Sequence, residues 1–558
     1  MRTTIHIALL IVTTFLAYSN SLNGEFVFDD FGVVQRISVA DYPTLSSAIL
    51  ASVGDRPLLH KTYALDAYLG FPDPRFNMHL TNLIIHALNV LLVYGICLIF
   101  VNSGAAFVGA LVFAAHPFYA DSVAYLTARS SMLAATFLWC ALLLGLRAWR
   151  SRPAHVGIPW RDYRLWLAII VFLLGTTVKS DIWVGVGIVA GIALLRYRPR
   201  PGRIVAVSSL FVLSVAAVLF FVIGAVEVDS TSRAWVIQSF FQYNRIQTIS
   251  SDLQIAGLAP VFTVYEYLQT VINNFAFHIL PNLVLPIRLT ADPPLEYGDP
   301  IEFVTSLAII ACLILSMLSM KTAPSVRHGL LFILASPPLA RLLVPIEDIG
   351  FEYRAYMTGL GVALLAGYAY SRLPTAAHWR KYVVMATLAV VLVLGIGTLR
   401  RNAVWQSRLT LWEDAAAKAP KKTRTLLNLS QAYAAAQRPA DALRILEYAI
   451  TLDKYSPALN SNIGAIYTDQ QRWELAEYHL MIAARNDNFS EPYTNLGVVK
   501  LRTGMPEEAL RLFDRAIVLR PSSSAAWWNR GAALTILGKR DEAMKSYNES
   551  IRLQSDGT

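Results

Sequence analysis

Between residues 4 and 399 the chain is dominated by apolar runs, most of them near the roughly 20 residues that cross a bilayer core. Candidate spans lie at 4–20, 80–101, 104–119, 130–147, 164–178, 182–196, 204–227, 302–320, 328–345, 355–371 and 381–399. A twelfth apolar segment, 262–286, is interrupted by Asn273, Asn274, His278, Pro281 and Pro286, and reads as either a full span or a re-entrant helix. Only 15% of all residues are charged, against about 25% in a typical soluble domain. That deficit belongs to residues 1–400; residues 405–558 have the composition of a soluble helical protein.

The net charge is +10. Its arginines gather in short loops between apolar runs, which is a topology signal and not the footprint of nucleic-acid binding. With Arg2 inside, the loop holding Arg147, Arg150, Arg152, Arg161 and Arg164 and the loop holding Arg196, Arg198, Arg200 and Arg203 also fall inside. Eleven crossings keep Lys321, Arg327, Arg372, Arg380 and Lys381 inside; twelve would expel them. Arg400 and Arg401 run against this assignment. Eleven crossings place the C-terminal half outside the cytoplasm. The apolar stretch from Ile5 to Tyr18 is expected to be a retained first helix, since no small-x-small cleavage site follows. Cys97, Cys140 and Cys312 lie inside apolar runs, so neither a disulfide framework nor a metal set is expected from them.

The last 130 or so residues repeat. Asn428, Asn462, Asn495 and Asn529 are 34, 33 and 34 apart, and Ala442, Ala476, Ala509 and Ala543 keep the same spacing. Ala449, Ala483 and Ala516 follow, with Ser550 in the fourth place, and Gly464, Gly497 and Gly531 each sit two residues after an Asn. A 34-residue period with small residues at fixed places is the tetratricopeptide signature. Four helical hairpins over roughly 422–556 are expected, with turns at Gly504–Pro506 and Leu537–Lys539. They would offer a groove for a protein or peptide, or serve as a rigid cap.

Ionisable residues collect at one side of the expected bundle, where they are costly and therefore suggest a site. Asp29 and Asp30 follow the first span; a carboxylate beside a low-dielectric surface can act as a general base, although Asp-Asp-Phe-Gly is also an ordinary turn. His79, Asn82 and His86 share a helix face, suited to hydrogen bonding or, less readily, to a metal. His116, Asp121, Arg129, Lys179, Asp181, Glu352 and Arg354 sit at span ends, where a cation can hold a phosphate or bridge two helices.

Taken in order, Asn20 to Asp30, Arg56-Pro-Leu, Asn82 to His86, His116-Pro-Phe-Tyr-Ala-Asp-Ser-Val-Ala-Tyr, Ala128-Arg-Ser, Lys179-Ser-Asp, Glu352-Tyr-Arg-Ala-Tyr and Arg401-Asn-x-x-Trp405 resemble the transmembrane and tetratricopeptide repeat O-mannosyltransferases and their bacterial relatives. The resemblance implies an all-α fold: a polytopic bundle of about 11 spans, like the C-type membrane glycosyltransferases, over residues 1–400, a linker at 401–421 and an α-solenoid of four repeats at 422–558. It implies an inverting glycosyltransferase that moves sugar from a polyprenyl-phosphate carrier to a Ser or Thr hydroxyl of a protein acceptor on the non-cytoplasmic face. Asp29 or Asp30 would be the catalytic base. Arg129, Lys179 and above all Arg354 would hold the lipid phosphate, with His86, His116, Asp121 and Glu352 in support. The lipid-linked sugar is the one co-substrate expected, no metal ligands are assigned, and a divalent-metal requirement is left open. An integral protein of a bacterial inner membrane, with repeats in the periplasm, fits this picture. The alternative is a membrane-anchored repeat scaffold for assembling an envelope or secreted complex; a transporter would call for internal repeats in the membrane half, and none is evident.

Overall fold

The computed structural model describes residues 2–28, 30, 33, 44–50, 56–69, 74–150, 161–183, 185, 187–189, 191–192, 264–293, 300–319, 321–335, 352–374, 376–485 and 489–555. It divides into two compact units, the first ending at Leu411 and the second beginning at Trp412.

Every described element of the first unit is helical. Four helices are long and apolar enough to cross a membrane: Arg75–Phe100, Leu126–Arg150, Ile301–Leu318 and His378–Val404. Ser103–Ala115 with Pro117–Ala124 makes a fifth if counted as one span bent by 50°. Arg2–Ala17 and Tyr163–Thr176 are shorter apolar helices. The described residues therefore do not reach eleven spans. The 204–227 candidate lies outside them, as does most of 328–345, of which Pro324–Leu334 is described as helix. The 182–196 candidate holds a short turn at Ser180–Trp183 and scattered helical residues. The 262–286 segment is helical over Val264–Asn273, widens into a π turn at Asn274–Ile279 and closes with Leu280–Val284.

Small residues set how closely the bundle packs. Asn102 starts Ser103–Ala115 by accepting a hydrogen bond from the Ala105 amide at 3.0 Å. That helix lies against Gly359–Ser371 so tightly that a Cβ on Gly109 would stand 2.1 Å from the Ala363 carbonyl. Backbone approach of this kind brings helices together where lipid tails are as apolar as the side chains. At its far end the helix breaks, because Pro117 has no amide to continue it. The expected straight span at 104–119 is thus a bent one. His116 Nδ1 accepts from the Phe118 amide at 3.2 Å, and the hydroxyl of Thr398, on the Ala377–Val404 helix, donates to the Ala115 carbonyl at 2.6 Å. The cysteines differ in surroundings: Cys97 is buried, Cys140 half-buried and Cys312 exposed on the apolar Pro300–Leu318 helix.

The second unit contains four helical hairpins, paired as Thr423–Ala435 with Pro439–Leu452, Pro457–Asp469 with Trp473–Ala484, Ser490–Arg502 with Pro506–Leu519 and Ser524–Ile536 with Arg540–Ser555. The repeated alanines 442, 476, 509 and 543 are all buried. A Cβ on Gly497 would meet Phe513 at 2.5 Å, so the glycine is what lets the two helices of that hairpin touch. The turns within hairpins place Gln437, Gln471, Gly504 and Gly538 at positive φ.

Candidate functional site

Past Arg2–Ala17 the chain turns at Ser19–Ser21 and runs along the end of the bundle. The Gly24 carbonyl hydrogen-bonds His79 Nε2 at 3.2 Å, the Glu25 amide donates to Gln406 O at 3.0 Å, and the Arg408 amide donates to Glu25 Oε2 at 3.1 Å. Phe28 then takes φ +51°. A bulky residue in that region costs on the order of 1–3 kcal/mol and persists only where its surroundings impose it. Here Tyr125 and Trp405 do so, their rings 5.7 and 6.3 Å from that of Phe28.

Asp29 lies outside the described residues. Asp30 is fully buried and receives hydrogen bonds from the Val27 amide (3.1 Å), the Thr127 amide (2.9 Å) and the Thr127 hydroxyl (2.8 Å). Loss of hydration pushes its carboxyl up to about 7 despite those three donors. A carboxylate so enclosed clamps the loop onto the 125–128 turn.

Arg129 is enclosed in the same way. Its guanidinium donates to Asn82 Oδ1 (2.7 Å), Thr62 Oγ1 (3.2 Å) and Met78 O (2.8 Å), pairs with Asp66 at 2.7 Å, and covers the Tyr63 ring at 4.4 Å. It has no exposed surface. The side chain expected to hold phosphate therefore joins three helices. His79, Asn82 and His86 do share a face, and each makes a hydrogen bond: His86 Nδ1 meets the Tyr356 hydroxyl at 2.7 Å. Among the described residues no three His, Cys, Asp or Glu side chains converge as a metal set would.

Asp121 and Glu352 meet at a residue that the expected site omitted. Arg401 forks onto both Asp121 oxygens, Nε at 2.8 Å and Nη2 at 2.7 Å, and Nη2 stands 3.7 Å from Glu352 Oε2. Trp405 donates its indole N–H to Asp121 Oδ1 at 2.7 Å. Glu352 Oε1 accepts from the Thr290 amide at 3.0 Å and lies 3.1 Å from His278 Nε2. His278, Arg401 and Trp405 were missed as site residues. The available signal was the four-residue step from Arg401 to Trp405, which puts both on one helix face.

Lys179 and Arg354 are half-buried and flank one ring. Lys179 Nζ is 5.9 Å and Arg354 Cζ 5.4 Å from the Tyr353 centroid, and Lys179 donates to Ser131 Oγ at 2.8 Å. The Arg354 Nε is buried and meets no acceptor among the described residues. Tyr353 lies 5.4 Å from Tyr125, so an aromatic chain from Phe28 through Tyr125 to Tyr353 links the Asp-Asp loop to the two cations. The side chain of Asp181 lies outside the description.

Human protein O-mannosyl-transferase TMTC3 is 24% identical over 98% of this chain, and Drosophila melanogaster Tmtc3 is 21% identical over 95%. These proteins are homologues of the chain. The chain spans 64% of the human relative's length and 65% of the fly relative's. Mouse TMTC1 is 32% identical over a shorter stretch, 30% of the chain. A tetratricopeptide repeat family model matches residues 494–558. Among solved structures, a crystal structure of MamA is 24% identical over 26% of this chain and 87% of its own, with a TM-score of 0.24.

Proposed function

We propose that this chain is a membrane glycosyltransferase that moves a sugar, mannose by the name of its relatives, from a polyprenyl-phosphate carrier to a Ser or Thr hydroxyl of a protein. The observation that carries this reading is the aromatic chain joining the Asp-Asp loop to Lys179 and Arg354. It would hold a carboxylate and a cation pair on one frame, as displacement of a phosphate from an anomeric carbon requires. Homology to protein O-mannosyl-transferases over nearly the whole chain supports it.

In this mechanism Asp29 accepts the hydroxyl proton as the acceptor oxygen attacks the anomeric carbon. The bond from that carbon to the phosphate oxygen breaks, its electron pair stays with the phosphate, and one displacement inverts the centre. Arg354 and Lys179 meet the charge growing on the phosphate, the term that usually contributes most to such a step. Asp30 fixes the turn and takes no proton from the acceptor. The Asp121–Arg401–Glu352 cluster braces the adjoining helix ends, and the repeats present the acceptor. The positive-inside pattern supports a reading in which this chemistry takes place on the non-cytoplasmic face, with the repeats in the periplasm if the source is a bacterium.

The test is intact-mass measurement of secreted and pilus proteins from a deletion host expressing wild type, Asp29→Asn or Asp30→Asn, with membrane level followed by blot. A hexose-sized increment should appear with wild type and vanish with Asp29→Asn at an unchanged level, while Asp30→Asn should lower the level itself. An increment that survives Asp29→Asn would remove Asp29 as the base. No increment dependent on the wild-type gene would remove protein glycosylation in that host.

A further inference from the structure

At the end of the bundle opposite the candidate site lies a cavity of about 340 Å³ lined by Gly95, Leu98, Ile99, Arg147, Arg150 and Arg164. The helix Arg129–Arg150 runs between the two: 22 residues at 1.5 Å each make about 33 Å, roughly one hydrocarbon core. Arg129 is at one end of that helix, Arg147 and Arg150 at the other. The cavity is thus formed by the last turns of Pro74–Phe100 and Arg129–Arg150 and the first turn of Tyr163–Thr176.

Its chemistry divides sharply. One wall is apolar. The other carries three arginines, and among the described residues the carboxylate paired with one of them is Asp162, 2.7 Å from Arg164. Arg147 and Arg150 are exposed, and Arg150 Nη1 donates to Ile99 O at 3.2 Å. A guanidinium has five N–H groups in a fork that fits phosphate. Beside the cavity, the Tyr163–Thr176 helix leaves Trp166, Leu167, Ile170 and Leu173 exposed, an apolar face suited to acyl chains. Basic pockets between membrane helices suit anionic headgroups.

We propose that this cavity is a binding site for the phosphate headgroup of an anionic glycerophospholipid, separate from the candidate site and independent of the transferase reading. The headgroup phosphate lies between Arg147 and Arg150, with Arg164 at its rim. Leu98 and Ile99 meet the glycerol and the first methylenes. The arginines that a topology rule counts as anonymous positive charge thereby form a recognition element.

The full chain, purified in detergent and stripped of lipid, is titrated with phosphatidylglycerol, phosphatidylcholine or inorganic phosphate, and the thermal unfolding midpoint is followed beside native mass spectrometry. Phosphatidylglycerol should raise the midpoint and be retained as one bound lipid; phosphatidylcholine should do neither. Arg147→Gln/Arg150→Gln should weaken the phosphatidylglycerol response at least tenfold. Leu98→Trp, which crowds the apolar wall and keeps every charge, should weaken it as well, so a poorly folded charge variant does not leave the question open. Arg380→Gln/Lys381→Gln, exposed cations on another helix, should leave it unchanged. Wild-type affinity in both cavity variants overturns the site. An equal response to inorganic phosphate overturns the lipid and makes this a free-anion site.

Discussion

At the scale of single residues, the ionisable groups separate by whether their partners are used up. Arg129 and Arg354 look alike in sequence, each a cation at the end of an apolar run. Arg129 is spent on Asn82 and Thr62, 47 and 67 residues away along the chain, whereas Arg354 has a buried Nε without an acceptor among the described residues. Arg129→Gln should cost about 3–5 kcal/mol by stranding the buried carboxylate of Asp66, read as a lost membrane level and a lower unfolding midpoint. Arg354→Gln should keep the level and cut transfer by about 10²–10³-fold, read as hexose incorporation per unit protein. Asp30 gives a pH signature. Its folded-state pKa is raised, so the folded protein holds the proton more tightly, and its ionisation costs stability as pH climbs from about 4 through about 7. The wild-type unfolding midpoint should therefore exceed that of Asp30→Asn by more at pH 5 than at pH 8; an unchanged gap would show that Asp30 does not titrate there. Arg401 shows why a charge count can mislead. It argued against the outside placement of the C-terminal half, yet it is buried and neutralised by Asp121, so it is no longer the kind of loop charge that the rule weighs.

At the scale of elements, the repeats were the most legible part of the chain, because a fixed period with small residues reports directly on helix contacts. Gly504 and Gly538 marked their turns. The equivalent turns at Gln437 and Gln471 carried no such residue, and only the 34-residue register gives them away. A glutamine there bears the left-handed cost that glycine avoids. Gln437→Gly and Gln471→Gly should each stabilise the repeat unit by about 0.5–1 kcal/mol, read as greater heat resistance to proteolysis within residues 412–558. Gly497→Ala should lose about 1–3 kcal/mol by driving a methyl into Phe513. The membrane helices were less legible. Hydropathy finds apolar runs and puts a break near residue 180, where the Ser180–Trp183 turn lies, but it cannot see that Pro117 bends another run.

At the scale of the molecule, the first unit does not end with its last apolar run. Arg401, Asn402 and Trp405 are buried within it, and the unit closes at Leu411. A chain stopped at Leu411 should accumulate in membranes, while one stopped at Arg400 should not, because Asp121 then loses both Arg401 and Trp405. Equal accumulation of the two would contradict that role for Arg401. The same closure bears on how the protein is made. The Ala17 carbonyl waits for Asn402, the Ala115 carbonyl at the proline break for Thr398, and Asp121 for Arg401, at separations of 385, 283 and 280 residues. At about 5–20 residues per second, a ribosome needs on the order of tens of seconds to deliver those partners. Through that interval a nascent chain already threaded into the bilayer carries two carbonyls and a carboxylate that lack these partners, which the membrane insertion machinery must shelter until the last helix arrives to fasten the bundle shut.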